Sequence, residues 1–257
     1  MSDQPPRGLL VQAEAGDAEA QNEIGRFHAA RMPDAGAAAA AAHWFGRAAE
    51  QGLLKALHNL GVLALREGHA DLAERVFQTA SDRGWTNSTV ALGSLREEAG
   101  AREEARDLYE SAAKQGNADG QDRLAGMALR LDTDHGFRVA RYWSELSAAQ
   151  GSAAGLMCLA TIYHEGLAVE RDGPRAHAYY LAAARKGHRG AQLMTGVAFE
   201  TGANVARDLV ESTYWLKRAA AQGDGIAVTY LKRVEGRLSG EQARTVAARL
   251  ADDGVES

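Results

Sequence analysis

Cysteine occurs once in the 257 residues, at Cys158, so no disulfide can form within the chain and a reducing compartment is expected. Lysine is scarce, five residues against 24 arginines, and no basic tract appears. With a formal charge of −5, that argues against a partner held by neutralised phosphates, so no nucleic acid is expected. The start, "MSDQPPRGLLVQAEAG", has no apolar run of signal-peptide length, and no stretch approaches a membrane span. The expectation is a cytoplasmic protein without a membrane partner. Strand formers such as Ile and Thr are sparse, whereas alanine, the strongest helix former, occurs 53 times. The expected class is all-α.

Catalytic and metal motifs are missing as well. His164-Glu165 matches the start of a zinc-protease helix, but the second histidine would have to stand where Ala168 does. There is no phosphate loop, Gly-x-Ser-x-Gly elbow or dinucleotide fingerprint. Nothing in the sequence speaks for an enzyme, a cofactor or a metal. An active site assembled from polar residues of distant repeats would leave no trace in one sequence.

What is present is a period. "RAAEQG" at 47–52 returns as "SAAKQG" at 111–116 and "KRAAAQG" at 217–223. The closing glycines form a series, Gly16, Gly52, Gly84, Gly116, Gly151, Gly187 and Gly223, at intervals of 36, 32, 32, 35, 36 and 36 residues. Four residues after each stands a small residue, as Ala20, Ala56 and Ala191 do. Nine after stand Gly25, Gly61, Gly93, Ala125, Ala160 and Gly196, with Lys232 breaking the rule. Eight before stand Trp44, Val76, Leu108, Trp143, Tyr179 and Trp215. Each period therefore predicts two amphipathic helices, one with a seam of small residues and one with a bulky anchor. The series glycines suit left-handed helix stops. Asp17, Asn117, Ser152 and Asp224 suit N-caps, and Asp208–Glu211 and Ser239–Gln242 suit capping boxes.

The stretches "GLAVERDGPRAHAYYLAAARKG" (166–187) and "GANVARDLVESTYWLKRAAAQG" (202–223) resemble Sel-one-like repeats, a branch of the tetratricopeptide-repeat superfamily. Gly166, Val169, Asp172, Ala176, Tyr179 and Tyr180 match the hallmark run. Gly202, Val205, Asp208, Tyr214 and Trp215 match it again. The resemblance covers residues 9–252, with tails at 1–8 and 253–257 and units starting near 9, 52, 84, 116, 151, 187 and 223, the last a cap. The units starting at 52 and 84, at 32 residues, lack the longer inter-helix loop. The resemblance implies an α-solenoid of about seven antiparallel helix pairs in a right-handed superhelix. It implies no shared catalytic residues, and a scaffold or adaptor that holds a protein or peptide on its concave face.

In that frame residues three, six, ten and thirteen after each glycine line the concave face. The candidate partner-binding residues are Arg26, Val62, Leu65, Met157, Thr161, His164, Leu193, Val197 and Glu200. So apolar a face invites a partner with hydrophobic side chains. Tight curvature that buries the same residues between neighbouring helices would account for it equally well. The alternative to a scaffold is a regulatory subunit that holds a small effector or peptide, suggested by His164, Thr161 and Glu200 among apolar neighbours. Trp44, Trp143 and Trp215 read as core, Cys158 as an inert thiol on a helix face, and Trp85, outside the repeat pattern, as packing over a turn or a partner contact.

Overall fold

The computed structural model describes residues 4–34 and 36–254, and among them fifteen helices and no strand. Two compact units divide the chain, one up to Gly120 and one from Gln121.

In the first unit α1 (Arg7–Glu14) precedes three pairs: α2 (Ala18–Ala29) with α3 (Ala37–Glu50), α4 (Leu54–Arg66) with α5 (Ala70–Asp82), and α6 (Thr86–Glu98) with α7 (Arg102–Lys114). The boundary between units falls within α8 (Ala118–Leu129). The second unit continues with α9 (Asp134–Ala149), then α10 (Ala153–Glu165) with α11 (Gly173–Arg185) and α12 (Arg189–Thr201) with α13 (Leu209–Ala221). It ends with α14 (Gly225–Glu235) and α15 (Gly240–Asp252). Of the expected tails, residues 1–3 and 255–257 lie outside the described residues.

The stop signals work as glycine chemistry requires. All seven series glycines have φ between +81° and +101°, where a Cβ would be strained. Asp17, Asn117, Ser152 and Asp224 each accept a hydrogen bond from a backbone N–H of the helix that follows. His188 does the same for α12 through Nδ1, 3.2 Å from Ala191 N, a cap the residue type conceals. Ser239 and Gln242 form a reciprocal capping box. Asp208 caps α13, but the Glu211 carboxylate turns to Trp215 Nε1 (3.1 Å) and to Arg249 (2.5 Å) instead of closing a box.

The seam of small residues is real, and the anchor that fills it stands one residue later than the periodicity suggests. A Cβ placed on Gly25 would lie 2.5 Å from the Phe45 ring, on Gly61 2.5 Å from Phe77, and on Gly93 2.5 Å from Tyr109. Leu216 approaches Gly196 in the same way, at 2.7 Å. These residues stand seven before their glycine and are buried; of those eight before, Trp215 is buried and the rest are half-buried. Trp44 covers Ala13, Ala20 and Ile24, while Trp215 joins the core of Tyr163, Tyr180, Tyr214, Val246 and Leu250.

The glutamine of the recurring phrase has its own task. Gln51 donates to Gln21 Oε1 at 2.7 Å, Gln150 to Gln121 at 2.9 Å, and Gln222 to Gln192 at 2.7 Å. In each pair a residue at one helix stop reaches back about one repeat to a buried glutamine of an earlier helix. Gln21 and Gln192 in turn donate to the carbonyls of Ala13 and Ala184. Thus at Gln51, Gln150 and Gln222 the helix stop is tied to the helix immediately before it in the chain, whereas Gln115 bonds Ser111 of its own helix.

Candidate partner-binding face

In the first unit Arg26 stands on α2, and Val62 and Leu65 on α4. Val62 and Leu65 are 39% and 38% exposed. Arg26 and Val62 share an open cleft of about 290 Å³ with Ala29, Phe45, Asn59 and Arg66. Arg26 pairs with Glu23 at 3.0 Å, one turn away on its own helix. Asn59 donates to Asn22 at 2.8 Å, and Arg66 to the Ala29 carbonyl at 2.8 Å. The cleft thus has an apolar floor and a polar rim whose groups are held in place.

In the second unit Met157, Thr161 and His164 follow one another along α10, and Leu193, Val197 and Glu200 along α12. Met157 and Leu193 are half-buried, Met157 against the Tyr163–Trp215 core and Leu193 against the cluster of Leu216, Ala219 and Leu231. His164 and Val197 line one notch of about 80 Å³, with His177, Tyr180, Met194 and Ala198. The His164 ring meets Tyr180 edge-on at 6.1 Å, and its Nε2 lies 3.7 Å from Glu165. The His177 ring meets Phe199 edge-on at 5.3 Å, and burial lowers its proton affinity. Burial likewise raises the pKa of the Tyr180 phenol, partly offset by a hydrogen bond with Thr161.

Thr161 and His164 both meet Tyr180, whereas Glu200 is partnered apart from them. The Thr161 hydroxyl donates to the Met157 carbonyl at 3.2 Å. Glu200 is 5% exposed and accepts from Arg233 Nε at 2.8 Å, from Arg233 Nη2, and from Arg237 Nη1 at 3.2 Å. Neither arginine is among the residues singled out from the sequence. Arg233 does stand ten residues after Gly223, the register of Arg26, Val62, Thr161 and Val197, so the repeat frame itself could have found it.

Outside the row, Cys158 is half-buried, and burial pushes its thiol up, away from the thiolate that reacts. Trp85 is the N-cap residue of α6; its backbone N–H donates to the Ala80 carbonyl at 2.9 Å, and its indole N–H is buried without a hydrogen-bond partner. Among the described residues no group of three or more His, Cys, Asp or Glu is placed to hold a metal ion. No helix there is long and apolar enough to cross a membrane.

The model of the family described as Sel1 repeat matches residues 18–53, 101–117, 119–152, 155–188 and 190–224, more than half of the chain. It omits 54–100, where the helices of a pair are joined by the short turns at Gly68 and Gly100. No curated protein matches the sequence. Among solved structures, the fold is similar to that of c5321, a protective antigen of uropathogenic Escherichia coli strains with an SLR fold. The TM-score is 0.73 at 23% identity, over 93% of this chain and 54% of the antigen, so the chain spans about half of that protein. A Sel1 repeat protein from Oxalobacter formigenes gives 0.62 at 22% identity, over 87% of this chain and 85% of its own. Immunity protein PA5088 from Pseudomonas aeruginosa gives 0.58 at 22% identity, with the same two shares of 87% and 85%. At such identities the likeness is one of fold.

Proposed function

The chain belongs to the Sel1 repeat family, and from that premise we propose that it is a non-catalytic scaffold or adaptor holding a protein or peptide segment along the concave face formed by the first helices of its pairs. The observation that supports this reading is that, in each unit taken by itself, apolar side chains at the concave positions of the repeat frame are left partly open to water: Val62 and Leu65 in the first, Met157, Leu193 and Val197 in the second. Apolar surface of this kind, rimmed by Arg26, Asn59, Thr161 and His164, is what an extended or helical segment with hydrophobic side chains covers on binding. The backbone of each helix is already satisfied, so affinity has to come from side-chain contact along the row.

The test is retention of partners by tagged protein from its native cell, with wild type beside Leu193→Asp, Met157→Lys and Val62→Asp. Val62 is exposed enough that its substitution leaves the core intact. Loss of the same protein from the variants, with unchanged helicity and melting, is the expected result. Retention of every partner by all three variants would show that the row is not the docking face.

A further inference from the structure

We infer that the row in the second unit recognises an acidic-aliphatic segment of a protein partner, with one branched aliphatic side chain in the notch on α12 and a carboxylate beside it on Arg233 and Arg237. The inference rests on the scaffold reading above and specifies its partner.

Helix α12 sets the two halves of the site next to each other. Val197, Ala198 and Thr201 line the notch, and Glu200, among them in sequence, turns to α14. Being 5% exposed and engaged by two guanidinium groups, Glu200 is a holder of charge rather than a contact for a ligand. Two guanidinium groups on one carboxylate leave this end of the row with an uncompensated positive charge. The side chains of Arg233 and Arg237 remain 56% and 37% exposed. Arg233 spends two of its donors on Glu200 and Arg237 spends one, so each keeps N–H groups for an incoming anion. Arg233 also lies over the Tyr230 ring at 4.5 Å. Both cations are thus fixed before a partner arrives, which lowers the ordering cost of binding.

The size of the notch selects the other half of the ligand. At about 80 Å³, against roughly 150 Å³ for a closed cavity that admits benzene, the notch has room for a Leu, Ile or Val side chain and favours these over larger rings. Its walls are apolar at Met194, Val197 and Ala198. Charge complementarity then decides what stands beside that aliphatic residue: Asp, Glu or a free C-terminal carboxylate.

The experiment selects random phage-displayed peptides on the full chain and measures enriched sequences by fluorescence anisotropy at low and high salt. Selected peptides should carry Leu, Ile or Val within a few residues of a carboxylate. Ala203→Phe, at an exposed position lining the notch, and Arg237→Gln should each weaken them about tenfold. Arg237→Gln leaves Glu200 paired with Arg233, so folding is kept, and it should reduce the salt dependence. Changing the peptide's acid to its amide should weaken wild type strongly and Arg237→Gln much less, since only Arg233 then remains to meet the acid. Peptides that lack an acid, or ignore both substitutions while losing affinity to Leu193→Asp, would overturn this inference and leave the scaffold reading standing. No selectable peptide, or binding indifferent to Leu193→Asp, would bring down both.

Discussion

The Phe45 ring occupies the space that a side chain at Gly25 would need, 2.5 Å from where its Cβ would stand. Phe45 is 2% exposed and cannot move outward without opening the core between α2 and α3. Gly25→Ala should therefore destabilise the protein by about 1–2 kcal/mol even though alanine favours a helix over glycine by about 1 kcal/mol. Gly25→Ala with Phe45→Leu should recover much of the loss, a coupling that a double-mutant cycle in urea reads directly. Equal, additive effects would mean that the close approach carries no energy.

The glutamine pairs predict a second kind of coupling. Gln222→Ala removes the donor from the Oε1 of Gln192, which is 1% exposed. A buried acceptor left unpaired costs about 1–3 kcal/mol, so the urea midpoint should fall while the slope stays unchanged. Gln222→Ala in a Gln192→Leu background should cost much less, because no stranded acceptor remains.

The period and the helix stops were legible because they rest on local chemistry: glycine in the left-handed region and capping side chains act over a few residues. The register of the core anchor was not. Trp44-Phe45 offers two adjacent aromatics and Trp215-Leu216 two adjacent bulky residues, and the crossing of the neighbouring helix decides that Phe45 and Leu216 enter the seam. The Gln21–Gln51 clasp and the arginines on Glu200 join residues 30 or more positions apart; the repeat frame marks their positions, but one sequence does not show which side chains meet. Glu200 accordingly reads as a group facing a ligand, and the structure gives its carboxylate to Arg233 of α14 and to Arg237 just past that helix.

Histidines set an acid limit on stability. Burial lowers the pKa of His58 from 6.5, and its Nδ1 lies 3.0 Å from Ser88 Oγ. Between that lowered folded value and 6.5 the unfolded chain holds more protons, so stability rises with pH through this window and is lost as pH falls below it. His28, His177 and His188 shift in the same direction, chiefly through burial, and His188 also loses its capping acceptor when Nδ1 is protonated. His58→Gln, which can still bond Ser88, should lose less stability than wild type between about pH 7 and about pH 5.5. The measurement is the urea midpoint at both values, and an unchanged loss would remove His58 from the account.

The terminal helix should be released by a single oxygen. The Tyr214 hydroxyl donates to Asp253, just past α15, and accepts from Arg218 at 2.7 Å, while Arg218 also reaches Asp253 at 2.8 Å. Arg249 of α15 lies over the Tyr214 ring at 4.0 Å and bonds Glu211 of α13. Beneath this polar clasp Val246 and Leu250 are buried against Tyr214 and Trp215. Tyr214→Phe keeps the ring, the stacked arginine and the apolar contact but leaves Asp253 with Arg218 alone. The lost hydrogen bond is worth about 1 kcal/mol, enough to raise amide exchange several-fold wherever α15 opens independently of the rest. Exchange measured by mass spectrometry should therefore rise in α15 and stay at the wild-type rate in α10 and α11. A uniform rise through the second unit would mean instead that α15 opens only when the whole unit does.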